Sequence, residues 1–180
     1  MLAVAIVGGG PVGLALALML RRAGVGCEVF DARPAGAVAD DRRVLALSHG
    51  TRQILERLDA WTTIGATPIT RIHVSQQGRF GRTLIEADEV GVPALGYVAE
   101  AGRVACALAK ACTNAGVKMR HEWRVTGSEA GRDHVLLHCN SPQGGEDVRA
   151  QLAAWAEGAI SAEHGVVRRD YAQRAIVASV

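Results

Sequence analysis

LAVAIVGGGPVGLALALMLRRAGVGCEVFDA, residues 2–32, decides the fold class of this chain. LAVAIV is short, apolar and rich in β-branched residues, the composition of a parallel strand covered on both faces. GGGPVG follows as a turn, and LALALMLRRAG then reads as a helix. Two arginines in its last turn and Gly24 after them are ordinary stop signals. CEVFDA, Cys27 to Ala32, reads as a second strand. Strand, glycine turn, helix and strand within about thirty residues is the context that a dinucleotide-binding fingerprint requires.

The spacing inside that context is G-x-G-x-x-G at Gly8, Gly10 and Gly13, with Asp31 closing the second strand. Gly8 permits the tight turn, Gly10 lets a pyrophosphate approach the backbone, and Gly13 lets helix and strand pack closely. Pro11 suits the first helical turn, where its missing N–H is not needed. The helix start, with Pro11 and Val12, offers free N–H groups and a positive dipole end to phosphates. Asp31, with Ala32 after it, is placed to accept hydrogen bonds from both hydroxyls of an adenosine ribose. Its charge argues against a ribose 2′-phosphate. The fingerprint alone does not separate NAD from FAD.

Residues 2–20 carry no charge, a length that suggests a membrane span. Gly8 to Pro11 break that run in the middle, and the arginines follow rather than precede it, so neither a span nor a signal peptide is expected. The whole chain has 180 residues, enough for one domain and barely enough for two. Its 49% hydrophobic and 21% charged residues exclude wholesale disorder. Twenty Lys and Arg against eighteen Asp and Glu argue against a nucleic-acid module. Four cysteines without a C-x-x-C pair fit free thiols in a reducing compartment better than disulfides or zinc.

Beyond residue 32, Ser48 is read as the N-cap of a helix reaching Trp61, with Ile54, Leu55, Leu58 and Trp61 inward. Trp61 is assigned to the core. Residues 102–115 form another helix, with Val104, Leu108 and Ala111 inward and Lys110 outward. VKMRHEWRVTGSEA (117–130) and HVLLHCN (134–140) alternate apolar and polar, and NSPQGGED links the latter to VRAQLAAWA. This predicts a small antiparallel unit inserted into the parallel fold. His134 and His138 on a strand would stand about 13 Å apart, so no metal site is read. Ser48, Ser75 and Ser161 sit in no nucleophile elbow. Cys106 and Cys112 read as packing residues, and Arg42 and Arg52 as a solvated face.

DRRVLALSHGTRQILERLDAW (41–61), TPITRIHVSQQGRFG (67–81) and LGYVAEAGRVACAL (95–108) resemble the flavin hydroxylases of ubiquinone biosynthesis. The nearest type is the 2-polyprenyl-6-methoxyphenol hydroxylases, within the aromatic-hydroxylase flavoproteins. The resemblance runs in order over the whole chain and implies FAD as the dinucleotide, with Gly8, Gly10, Gly13 and Asp31 in the roles above. It implies Arg43 beside the flavin and its pyrophosphate, and Arg103 against the ribityl-phosphate region. Glu157–Gly158, in AWAEGAIS, stands for the family's Asp-Gly pair, with a longer carboxylate arm. Ala172 replaces a glycine common in that segment.

The implied fold is α/β: a Rossmann-like FAD-binding fold of the aromatic-hydroxylase type, read as one FAD-binding domain over 1–180. Family members continue further, so the chain is expected to stop before the substrate-covering half, inside a strand whose exposed edge favours self-association. The implied reaction is hydroxylation of a polyprenylated phenol: NAD(P)H reduces the flavin, O₂ is activated on it, and one oxygen atom enters the ring. No catalytic base is named, because the cofactor carries this chemistry. The alternatives are a non-catalytic flavin-binding or assembly subunit and an NAD-dependent dehydrogenase. The expected setting is cytoplasmic, with peripheral association at the inner membrane, a biosynthetic complex or a homo-oligomer as partners, and no nucleic acid.

Overall fold

The computed structural model describes residues 1–78, 80–158, 169 and 172. Strand β1 spans Leu2–Val7, helix α1 Pro11–Arg22 and β2 Cys27–Asp31, as the opening stretch predicts. A 3-10 turn, Ala37–Asp40, leads to β3 (Val44–Ser48) and α2 (His49–Arg57). Next come β4 (Thr67–Ile69), β5 (Arg71–Ser75), β6 (Arg82–Glu86), β7 (Gly96–Glu100) and α3 (Ala101–Asn114). The remainder is β8 (Lys118–His121), β9 (Arg124–Ala130), β10 (Val135–Ser141) and β11 (Gly144–Trp155).

The main sheet has six strands in the order β8-β2-β1-β11-β10-β9. β1 lies parallel to β2 on one side and to β11 on the other. Its alternation explains its all-apolar sequence: Val4 and Ile6 pack under α1 and α3, while Ala5 and Val7 join Phe30, Trp123 and Leu137 on the opposite face. A strand buried on both faces has no position for a polar side chain. α1 turns Leu14, Ala17 and Leu18 to the sheet. α3 buries Val104, Leu108 and Ala111 and leaves Lys110 exposed, as its periodicity predicts.

The antiparallel unit differs from its sequence reading in two ways. Residues 117–130 divide: β8 joins β2 in parallel, and only β9 enters the antiparallel arm. That arm, β9-β10-β11, is no separate insertion, because β11 continues into the parallel pairing with β1. The twelve residues of β11 pair antiparallel with β10 and parallel with β1 within one sheet, which local alternation cannot reveal. A three-stranded antiparallel sheet, β3-β7-β4, and a β5-β6 hairpin complete the described fold.

Ser48 caps α2 as expected, its hydroxyl accepting from the Thr51 N–H at 3.1 Å. The helix ends at Arg57, short of Trp61, where Asp59 takes a left-handed φ of 57°. Leu55 and Leu58 are buried and Trp61 packs against the core, but Ile54 is 47% exposed, against its assignment to the inner face. The C-terminal strand expected to end at Val180, and Ser161, lie outside the described residues. Ala172 has φ 51°, a left-handed conformation that suits the glycine it replaces.

Candidate functional site

β2 and β8 extend the sheet to one side of β1 and β11 extends it to the other. Beyond the carboxyl end of a strand at such a reversal, α/β sheets open a crevice. Here that crevice is a cavity of about 590 Å³. Gly8, Gly10, Pro11, Val12, Asp31, Ala32, Arg43, Glu157 and Gly158 all line it. Gly13 sits directly behind the turn. Nine of the eleven sequence-assigned residues therefore reach one cavity through four separate segments of chain.

Each glycine has its own reason. Gly8 has φ 110°, and a Cβ there would lie 2.5 Å from the Ala156 carbonyl oxygen. A Cβ on Gly13 would lie 2.0 Å from the Gly8 oxygen, so α1 and β1 meet at their closest there. Gly10 differs: its φ of −78° suits any residue, and a Cβ would meet nothing within 4 Å. The room at Gly10 faces the cavity, as a backbone that receives a pyrophosphate must. Pro11 stands at the start of α1, no side chain caps that end, and Gly10, Pro11 and Val12 of that first turn line the same space. Gly9, to which sequence reasoning gave no role, is pressed against Asp31, whose Oδ2 is 2.3 Å from where its Cβ would be.

Asp31 is buried among apolar residues and ends β2 at the cavity wall. Burial alone would raise its pKa, but hydrogen bonds from the side chain and backbone of Arg33 hold the carboxyl below its ordinary value. Arg33 donates Nε to Oδ1 at 3.0 Å and an Nη to Oδ2 at 2.7 Å. The carboxylate is thus charged and oriented, with lone pairs remaining for a diol. Arg33 itself lines the cavity. No signal in the sequence separates it from other surface arginines.

Arg43 is brought to the cavity by the start of α3. The N–H groups of Ala101 and Gly102 donate to the carbonyls of Arg43 and Asp41, each at 2.8 Å. A Cβ on Gly102 would lie 2.6 Å from the Ala39 oxygen, so this contact needs glycine. The Arg43 side chain is 80% exposed and forks onto Asp41 at 2.6 Å. That fork holds the Asp41 carboxyl down at about 2. Glu157 and Gly158 arrive because β11 runs beside β1, with Trp155 opposite Val7 and the Ala156 N–H donating to the Val7 carbonyl at 2.7 Å.

Arg103 is not brought to the cavity. It donates to the Ile64 carbonyl at 3.3 Å and lines a separate groove with Thr63, Cys106 and Lys110. Two residues, about half a turn, into α3, its side chain faces away from the helix start that holds the Arg43 backbone. Conversely, Trp123, Arg124 and Val125 line the cavity without having been singled out. The Trp123 N–H donates to the Asp31 carbonyl at 3.0 Å, and its ring packs on Phe30 with centroids 5.8 Å apart. Glu122, just before it, holds a left-handed φ of 61°.

Away from the cavity, Arg52 corrects its reading as a solvated residue. Its guanidinium donates to the Tyr97 hydroxyl, bonds Glu56 at 2.7 Å, and lies over the Trp61 and Tyr97 rings. His138 bonds Asp147 and Glu129 from the two neighbouring strands at 2.9 and 3.2 Å. Those carboxylates hold its pKa above the ordinary value. Among the described residues no cluster of three or more potential ligands is placed to hold a metal.

A family model described as an FAD binding domain matches residues 1–175. The chain is 36% identical to the 3-demethoxyubiquinol 3-hydroxylase of Escherichia coli K12 over 98% of this chain and 48% of that protein. It therefore spans about half the length of this curated relative. Among solved structures, p-nitrophenol 4-monooxygenase PnpA from Pseudomonas putida DLL-E4 superposes with a TM-score of 0.76 at 23% identity, covering 92% of this chain and 43% of that one. The flavin-dependent monooxygenase PieE, solved with FAD and substrate, gives 0.68 at 22% identity, covering 84% and 29%. These likenesses establish the fold, and the family match answers the choice between NAD and FAD that the fingerprint left open. With a glycine turn, an oriented carboxylate and a returning strand gathered at one cavity, the chain belongs to the FAD-binding-domain family, and its relatives are flavin-dependent hydroxylases.

Proposed function

We propose that residues 1–180 form one FAD-binding domain of an aromatic-ring hydroxylase that uses NAD(P)H to hydroxylate a polyprenylated phenol in ubiquinone biosynthesis. The cavity at the end of β1 carries the reading: space at Gly10 and free N–H groups at the start of α1 suit the pyrophosphate, and the charged Asp31 suits the ribose, of FAD's adenosine diphosphate. In this assignment the N–H groups after Gly10 hold the pyrophosphate, and Asp31 accepts from the ribose hydroxyls. Arg43 leaves Asp41 to meet a phosphate or the flavin. Glu157 and Gly158 close the turn's far side.

FAD, when bound, supplies the oxygen-activating chemistry that no side chain can. The protein's own work is to bind it, orient it and exclude water. The substrate class is taken from the resemblance and from the E. coli relative. So greasy a phenol resides in a bilayer, which gives the reading a cytoplasmic enzyme working peripherally at the membrane, alone, as a homo-oligomer or within a complex.

Equilibrium FAD binding, followed by flavin fluorescence, tests the cofactor site. The chain should bind FAD, and Gly10→Val should abolish binding while the fold persists. Because the chain spans about half of its relative, we expect it to release no hydroxylated product from a prenylated phenol with NAD(P)H. Product at a rate comparable to a full-length relative would show that the remaining half is dispensable.

A further inference from the structure

Of the three glycines in a row at the turn, Gly9 is the one confined by a side chain. It is buried, and its φ lies outside the left-handed region, so its backbone conformation would accept any residue. Its neighbour would not. A Cβ at Gly9 would lie 2.3 Å from Oδ2, 3.0 Å from Cγ and 3.1 Å from Cβ of Asp31. A long side chain would swing its end away from such a contact, but Asp31 has no such freedom. Its backbone is held from both sides: the Gly8 N–H donates to the Phe30 carbonyl at 2.8 Å, and the Trp123 N–H to the Asp31 carbonyl at 3.0 Å. Its carboxylate is held by Arg33, whose backbone N–H and Nε donate to Oδ1, each at 3.0 Å, and whose Nη2 donates to Oδ2 at 2.7 Å.

The two carboxylate oxygens are not equivalent. Oδ1 receives two of the three Arg33 donors and Oδ2 receives one. The oxygen with fewer partners is the one that lies against Gly9. Space at Gly9 therefore decides where the carboxylate's remaining acceptor capacity sits. A methyl group there would turn the Asp31 side chain about its first bond and lift both oxygens off the arginine fork. With a single methylene, aspartate has no further bond to bring them back; glutamate, one methylene longer, does.

We propose that Gly9 is a positioning residue that acts through Asp31: its missing side chain sets the carboxylate where it meets the adenosine ribose, so that Gly9 and the short acid form a matched pair. The ribose half of this inference rests on the FAD reading. The pairing of Gly9 with Asp31 does not, because it is a property of the empty protein.

Carbon-13 NMR of the apoprotein follows the Asp31 carboxyl, which is faced by Arg33 and, from β8, by His121. Gly9→Ala should move its titration upward, because burial persists while the Arg33 fork is broken. Melting temperatures close a double-mutant cycle: the cost of Gly9→Ala should fall by about half or more in an Asp31→Gly background, where the new methyl meets no side chain. Competition against bound FAD reads the ribose. ADP should compete about tenfold better than 2′-deoxy-ADP in the wild type, as a charge-assisted hydrogen bond implies. Gly9→Ala should erase that preference, and Gly9→Ala with Asp31→Glu should restore it. An unmoved carboxyl titration, or a melting cost as large without the Asp31 side chain as with it, would overturn the pairing. Equal weakening of ADP and 2′-deoxy-ADP by Gly9→Ala, or no preference in the wild type, would overturn the role at the ribose. A wild-type chain that binds no FAD would sink the cofactor reading and the ribose role with it, while the first two measurements still decide the pairing.

Discussion

Gly8 and Gly10 lie two residues apart in one turn, yet substitution at each should fail in a different way. At Gly8, φ 110° belongs to a region that side chains rarely adopt, and an added Cβ would overlap the Ala156 backbone at 2.5–2.6 Å. Relief requires β11 to move from β1, at the expense of the 2.7 Å bond from Ala156 N–H to the Val7 carbonyl. Backbone strain of about 1–3 kcal/mol and a lost hydrogen bond of about 1 kcal/mol give roughly 3 kcal/mol for Gly8→Ala. For a domain of this size that lowers the melting temperature by about 6–12 °C. At Gly10 the backbone is ordinary and the space is open, so Gly10→Val forfeits only a favourable N-cap residue, about 1 kcal/mol or less. Its side chain occupies the place reserved for the pyrophosphate. The assay is thermal melting of the apoprotein beside FAD titration. Gly8→Ala should melt early, whereas Gly10→Val should melt near wild type and bind no FAD. If Gly10→Val destabilises the apoprotein as much as Gly8→Ala, or binds FAD normally, the assignment of the turn is wrong.

Asp31→Ala should weaken FAD binding by roughly 1.5–3 kcal/mol, the range for a charge-assisted hydrogen bond, and Asp31→Glu should weaken it less. Unchanged affinity in both variants would place the ribose elsewhere. Acid should expose the ion pairs of β2. Glu28, bonded by Arg120 and Lys118, and Asp31, bonded by Arg33, have carboxyls held below their ordinary values of 4.5 and 3.8 despite burial. The stability they contribute is present above those values and is lost as pH falls below them. Glu28→Gln with Asp31→Asn should flatten the decline of melting temperature in that range; an unaltered slope would refute the linkage. Finally, native alkylation at pH 8 should modify Cys106 first, since it alone of the four thiols is exposed. Burial raises the other three thiols, Cys112 to about 12, so rapid modification of Cys112 would contradict its place under α1.

Residues 2–32 determined their own structure because everything they specify is local: a doubly buried strand, a turn that needs glycine, a helix with its stop signals and an acid at the end of the next strand. The ends of β1 and β2 fall within a residue of the sequence reading for that reason, while α1 begins at Pro11, three residues ahead of the stretch read as helix. The Ser48 cap of α2 and the inner faces of α2 and α3 were legible on the same grounds, except at Ile54, where periodicity marks a helix face but not how far its neighbours reach. What assembles the rest of the cavity is not local. Glu157 and Gly158 meet Gly8 only because β11 pairs in parallel with β1 after leaving an antiparallel arm. Arg43 is held where two N–H groups of α3 grip the preceding loop, a contact that Gly102 permits and no spacing announces. Arg103 was assigned to the same place by resemblance, but half a turn along α3 directs it to the Ile64 carbonyl instead. Trp123 and Arg52 acquire partners from other segments, so they carry no signature in their own neighbourhoods, whereas Arg33 grips Asp31 only two residues away, a local fork that its spacing did not single out. Sequence alone reaches as far as hydrogen bonds and periodicities within one element; pairing register and helix packing, which act across the chain, decided the remainder.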